Sequence, residues 1–191
     1  MLRVLCYIIN LMSDFVHLHV HSEYSLLDGA IKLNKLVNYA RDQGFKSLAL
    51  TDHGAMYGAF KFYLAAKNNN LKPIIGCEVY QAENSRFDKQ TRLGADQFHL
   101  VLLAKNLKGY RNLMKLVSHA HIEGFHYRPR IDYELLKKHS EGLIALSGCL
   151  QGIILQSLKN KEPEKAKTWI RKYIDVFGEK DFYLELQRHP K

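Results

Sequence analysis

Short apolar runs alternate with stretches of helical spacing along most of this chain. Residues 15–20 and 47–51 read as strands. Between them, 31–43 carries Leu33, Leu36, Val37 and Ala40 at helical spacing and meets Gly44 as a stop. The alternation continues with a helix over 56–68, strands over 73–80 and 98–104, and a helix over 107–120. A strand over 143–147, helices over 153–159 and 164–177, and a strand over 181–186 complete it. Short apolar strands alternating with helices predict a parallel sheet covered on its outer face. No Gly-x-Gly-x-x-Gly turn follows any strand, so a dinucleotide-binding doubly wound sheet has no direct support. The segment 83–97 is polar and charged and reads as a long loop.

Candidate metal ligands gather where these strands end. In His17-Leu18-His19-Val20-His21, residues two apart share one face of a strand. The Cβ atoms of His19 and His21 are then roughly 6–7 Å apart. That span suits ligands on neighbouring ions of a binuclear site, whose metals lie about 3.5–4 Å apart. One His-x-His is weak evidence, but Thr51-Asp52-His53 closes the second strand and Glu78 lies late in the third. With Asp28, His99 and Cys149 the set reaches seven residues. A parallel barrel builds its catalytic site from the ends of successive strands in this way, which favours a barrel here. His99 opens its strand instead of closing it, so the long loop must carry the chain back for this side chain to join the others.

The nitrogen, oxygen and sulfur donors suit Zn²⁺, Mn²⁺ or Fe²⁺ better than Mg²⁺. Such ions lower the pKa of a bound water to about 7 and support in-line attack on a phosphodiester. Glu78 has two oxygens and suits a bridging role, and Cys149 a terminal one. His19, His21, His53 and Glu78 are the candidate catalytic residues. His17 reads as a packed histidine, and His119, His121 and His126 as surface residues. Asp52 reads as a group that orients its neighbours. Arg128 and Arg130, beside Pro129, can hold phosphate through forked hydrogen bonds or pair with Asp132 or Glu134.

With 191 residues the chain is long enough for one domain with a sizeable core. Its 28 Lys+Arg against 19 Asp+Glu give a net charge of +9, which favours an anionic partner such as nucleic acid. Cys6, Cys77 and Cys149 show neither zinc-finger nor disulfide spacing and suit a reducing cytoplasm. No apolar stretch approaches the ~18–20 residues of a membrane span. Leu2 to Met12 is an apolar run with one Arg and no small-residue cleavage site after it. It reads as an extension over 1–13, upstream of a start at Met12, or as an extra edge segment, with the domain proper over 14–191.

His17-Leu18-His19-Val20-His21-Ser22 followed by Tyr24-Ser25-Leu26-Leu27-Asp28-Gly29 resembles the opening of one known family. So do Leu50-Thr51-Asp52-His53-Gly54, Lys72-Pro73-Ile74-Ile75-Gly76 and Phe98-His99-Leu100. Leu103-Ala104-Lys105-Asn106, Pro129-Arg130-Ile131-Asp132 and the run from Gly142 to Cys149 extend the match over nearly the whole chain. The family is the polymerase-and-histidinol-phosphatase (PHP) domain of bacterial DNA polymerase III alpha subunits. The resemblance implies a distorted (β/α) barrel of seven strands, here truncated after about six. It implies two or three metal ions held by nine side chains. Seven of the nine match His19, His21, Asp28, His53, Glu78, His99 and Cys149. The other two belong to an Asp-x-His motif beyond Lys191, which implies an N-terminal fragment of a longer subunit. The implied activity is that of a metal-dependent phosphoesterase, a 3′–5′ proofreading exonuclease within a DNA-directed DNA polymerase. Implied partners are DNA, the remaining polymerase domains and the other holoenzyme subunits, including the exonuclease subunit. A structural module that docks that exonuclease, and a free-standing phosphatase, are the rival expectations.

Overall fold

The computed structural model describes residues 15–26, 28–90, 92 and 95–187. The expected extension over 1–13, with Cys6 and Met12, lies outside the described residues. Two compact units are present, one comprising the chain up to Asp52 with Met56–Gly76, the other His53–Ala55 with the chain from Cys77 onward.

The first unit contains α1 (Leu33–Asp42), β1 (Ser47–Leu50), α2 (Ala59–Asn68) and the opening half of β2 (Lys72–Gln81). The apolar row of α1, Leu33, Leu36, Val37 and Ala40, is buried with Phe62 and Ala66 of α2 and with Leu48, Leu50 and Leu71. β1 pairs with β2 in parallel, from Ser47 opposite Lys72 to Leu50 opposite Ile75. The expected strand over 15–20 forms no regular ladder. Its backbone instead meets β1 and the residue after it, His17 O accepting from Ala49 N (3.0 Å) and Val20 O from Thr51 N (2.8 Å). Three steps on one side span two on the other, an offset of the kind that interrupts period-two pairing. Thr51 bridges the gap, its Oγ1 accepting from Val20 N at 2.8 Å.

The second unit holds the later half of β2, β3 (Phe98–Ala104), α3 (Leu107–Ile122), β4 (Arg130–Ile131) and α4 (Tyr133–His139). β5 (Leu143–Leu146), α5 (Ile153–Lys159), α6 (Pro163–Phe177) and β6 (Phe182–Tyr183) follow. Asn106 caps α3 by accepting from Gly109 N, and Asp132 caps α4 by accepting from Leu135 N. Leu100, Leu102, Leu113, Leu116, Ile131 and Leu136 are among the fully buried side chains. α6 buries Ala166, Trp169, Tyr173 and Phe177, one apolar face.

β2 pairs with β4, and β5 with β6, in parallel. β3 runs antiparallel to β5, from Val101 opposite Leu146 to Ala104 opposite Leu143. The expectation of an all-parallel sheet is corrected here. An apolar run reads the same in either direction, so the pattern along the chain did not set the course of β3 against β5. The strand order among the described residues is β1-β2-β3-β5-β6, with β4 also on β2. Among the described residues β1 and β6 do not pair with each other, in keeping with the α/β class and the truncated barrel expected. Among the described residues no helix is long and apolar enough to cross a membrane.

Candidate metal centre

Within the second unit, Glu78 is the hub. It stands on β2 at 1% exposure, and the turn carrying His53 runs beside it as an isolated parallel bridge. Gly54 N donates to Glu78 O at 2.8 Å. Glu78 Oε2 lies 2.8 Å from His53 Nδ1, and Oε1 lies 2.9 Å from His99 Nδ1. Cys149 Sγ is 3.7 Å from Glu78 Oε1 and 3.5 Å from His99 Nδ1.

The antiparallel course of β3 explains how His99 arrives. Its opening end lies at the closing end of β5, so His99 faces the turn that follows that strand. Gly148 makes the approach possible. It adopts φ +78°, and a Cβ there would sit 2.8 Å from His99 O. Gly148→Ala is therefore expected to cost roughly 1–2 kcal/mol in left-handed backbone strain alone. It should also lower metal affinity by spreading His99 from Cys149. Thermal melting and a metal titration check both, and unchanged affinity would count against this use of Gly148.

The ligand atoms of His53, Glu78 and His99 lie within 4.8 Å of one another. A buried carboxylate met by two imidazole nitrogens, with a thiol beside it, fits a transition-metal ion by donor chemistry. Burial pushes the Cys149 thiol above its ordinary range, the backbone N–H of Gln151 opposes this, and the Glu78 carboxylate adds to the rise. A cation held by the same atoms reverses that balance.

Neighbours support this group. The Tyr80 ring stacks on His53 (5.9 Å, 15° between planes) and meets His99 edge-on at 5.2 Å. His121 Nε2 lies 2.9 Å from Gly54 O, so the turn after His53 is tied to α3. Sequence reasoning passed over Tyr80 and placed His121 on the surface, where the structure leaves it half-buried. Tyr80 was findable, since it sits two residues after Glu78 on one strand face. His121 carried no such signal, its partner being 67 residues away. Arg128 places its guanidinium 5.6 Å from the Tyr80 ring centre.

Arg130 has a different place. Its side chain is 0% exposed and pairs with Asp96 at 2.9 Å. It also donates to Gly124 O, Arg86 O and Asp88 O. Of the two expectations for Arg130, holding phosphate and pairing with Asp132 or Glu134, neither fits this buried place, and Asp132 pairs instead with Arg86 at 2.9 Å.

In the first unit, His21 Nδ1 lies 2.9 Å from Thr51 O, which leaves Nε2 as the ring nitrogen that could hold a metal. The rings of His19 and His21 are 5.0 Å apart and perpendicular. Asp28 is exposed, at the end of a turn held by Asp52. Asp52 Oδ1 accepts from Ser22 N (2.6 Å) and Ser25 Oγ (2.8 Å), and Oδ2 from Ser22 Oγ (2.8 Å). The orienting role expected of Asp52 is therefore present. His17 is exposed, edge-on to Phe15 and Phe45, and is not the packed histidine expected.

A family model described as the PHP domain matches residues 17–189. The chain is 51% identical over 180 residues to DNA polymerase III subunit alpha of Aquifex aeolicus, covering 91% of this chain and 15% of that protein. It is 53% identical over 178 residues to DNA polymerase III subunit alpha of Borreliella burgdorferi, covering 93% and 15%. The chain thus spans about 15% of the length of these curated relatives. Among solved structures, a two-domain protein from Bacteroides vulgatus, described as containing a predicted PHP-like metal-dependent phosphoesterase, aligns with a TM-score of 0.45. That alignment has 13% identity and covers 83% of this chain and 48% of the other.

Proposed function

The chain belongs to the PHP domain family, and from that premise we propose that it carries the metal-dependent phosphoesterase centre of a DNA polymerase III alpha subunit, acting as a 3′–5′ exonuclease on DNA. The observation that carries the reading is buried Glu78 with a carboxylate oxygen toward each of His53 and His99. His53, Glu78, His99 and Cys149 are the proposed core ligands. His19, His21 and Asp28 are proposed to complete the set, on the strength of the opening motif and the fixed Nδ1 of His21. Two or three Zn, Mn or Fe ions would supply Lewis acidity toward phosphoryl oxygens and acidify water.

The chain's own side chains have separate tasks. Glu78 spans two histidines with its two oxygens and so sets their spacing. Tyr80 packs against both rings, which limits their rotation. Arg128, stacked over Tyr80, is the proposed phosphate contact, since a planar fork of donors matches phosphate oxygens. Proposed partners are DNA, the rest of the polymerase subunit and the other holoenzyme subunits, including the separate exonuclease.

Metal content and hydrolysis test the proposal together. The protein is expected to hold at least two transition-metal ions and to shorten a 3′-labelled single-stranded oligonucleotide. Chelation should abolish that activity and Mn²⁺ or Zn²⁺ restore it, while His53→Ala should lower both metal content and rate. Bound metal without hydrolysis would favour the structural module instead, and fewer than one ion per chain would overturn both readings.

A further inference from the structure

Apart from the metal-ligating residues, α3 presents a row of basic side chains along one face. Lys108, Arg111, Lys115 and His119 follow one another at spacings of three and four. They therefore align along the axis, with neighbours about 5–6 Å apart at Cβ. Together with Met114 and Ile122 they line a groove of about 490 Å³. Ile122 is 81% exposed, so the groove has an apolar portion open to solvent.

The end of α4 adds charge to the same place. His139 stacks on His119 with ring centres 5.9 Å apart, and Lys138 precedes it. Burial lowers the His139 pKa, and Lys115, His119 and Lys138 lower it further. Carboxylates balance only part of this row. Glu141 lies 3.2 Å from Lys108 and Glu123 lies 2.9 Å from His119. Among the described residues Arg111 and Lys115 form no ion pair, so two adjacent cations face solvent.

We propose that this face of α3 is a docking track for the backbone of single-stranded DNA, with Arg111 and Lys115 as its principal phosphate contacts. The proposal rests on the reading of DNA as the substrate and adds a surface distinct from the metal ligands. A regular row of cations matches a regular row of phosphates, as in grooves that track single strands. Met114 and Ile122 offer apolar surface to unpaired bases, whose faces a duplex keeps stacked. A neutral helix would match the apolar portion but leave the cations without counter-charge.

Fluorescence anisotropy with a labelled oligothymidylate, in chelator, measures binding without hydrolysis. The double substitution Arg111→Gln, Lys115→Gln is expected to weaken binding at least tenfold. It should also lower the salt dependence, log Kd against log salt, by about 1.4, at about 0.7 per lost phosphate contact on a single strand. Both side chains are exposed, so circular dichroism and hydrolysis of a small chromogenic phosphodiester should not change. Equal affinity for the variant and the unsubstituted protein would overturn the proposal, whether or not the metal centre hydrolyses DNA. Displacement of the oligonucleotide by polyglutamate at equal charge concentration would also overturn it, by marking a surface for acidic peptides. Absence of hydrolysis with intact, variant-sensitive binding would instead sink only the catalytic reading.

Discussion

Glu78→Gln is expected to empty the candidate centre of transition metal and to abolish metal-dependent hydrolysis, a loss of at least 100-fold. The carboxylate is buried and directs one oxygen to His53 and the other to His99. An amide of the same shape has one oxygen and one nitrogen donor, and no charge. It can therefore face only one of the two histidines as an acceptor, and it no longer offsets the charge of a cation. Losing a group that merely orients a ligand typically costs 10–100-fold in affinity or activity, so losing the shared ligand should cost more. The apo protein should stay folded, because an amide still hydrogen-bonds and no charge is left unpaired. Melting with and without chelator separates these effects. The unsubstituted protein should lose thermal stability on chelation, whereas Glu78→Gln should melt alike in both conditions. Retention of metal by Glu78→Gln at the original stoichiometry, with the original rate, would remove Glu78 from the centre.

The reasons the sequence foretold some of this arrangement and missed the rest are physical. The rows on α1, α3 and α6 were legible because burying one helix face imposes a period near 3.6. The apolar runs of β2, β3 and β5 were legible because strands buried on both faces read as continuous apolar stretches. Strand direction was not, because an apolar run reads the same either way. β3, which runs antiparallel to β5, is also the strand that carries its ligand at the opening end. The awkward position of His99 was thus a real signal of reversed direction, and the antiparallel pairing with β5 resolves it. β4 spans two residues, and α4 buries only the adjacent Leu135 and Leu136, a pair that shows no helical spacing. Gly148 gave no sign in sequence of its left-handed conformation, which becomes apparent only where it meets the His99 carbonyl. Arg130 was misjudged because its partner, Asp96, lies 34 residues earlier in the long loop.

That pair carries the largest expected loss of stability. Arg130→Met should destabilise the fold by about 3 kcal/mol, the upper end for losing hydrogen bonds to a charged group. Methionine fills much of the volume but donates no hydrogen bond. The half-buried Asp96 then keeps its charge without its cation, and the carbonyls of Arg86, Asp88 and Gly124 lose a donor. Arg130→Lys should recover only part of the loss, because an ammonium cannot reproduce the planar fork. Burial holds the Asp96 carboxyl above its ordinary range, the Glu83 backbone N–H opposes this, and Arg130 also draws it down. Removing Arg130 should raise it further. A raised carboxyl pKa means that the folded form takes up a proton more readily than the unfolded one. The deficit of Arg130→Met should then shrink as pH falls through the raised Asp96 value, and Asp96→Asn in the same chain should reproduce that rescue at neutral pH. Because the loop held by Arg130 joins the strand of Glu78 to the strand of His99, metal affinity should fall as well. Denaturant titrations across pH, on the single and double variants, measure the effect. A loss below 1 kcal/mol for Arg130→Met, or no relief from Asp96→Asn, would show that the loop is held by Arg86 and its partners instead.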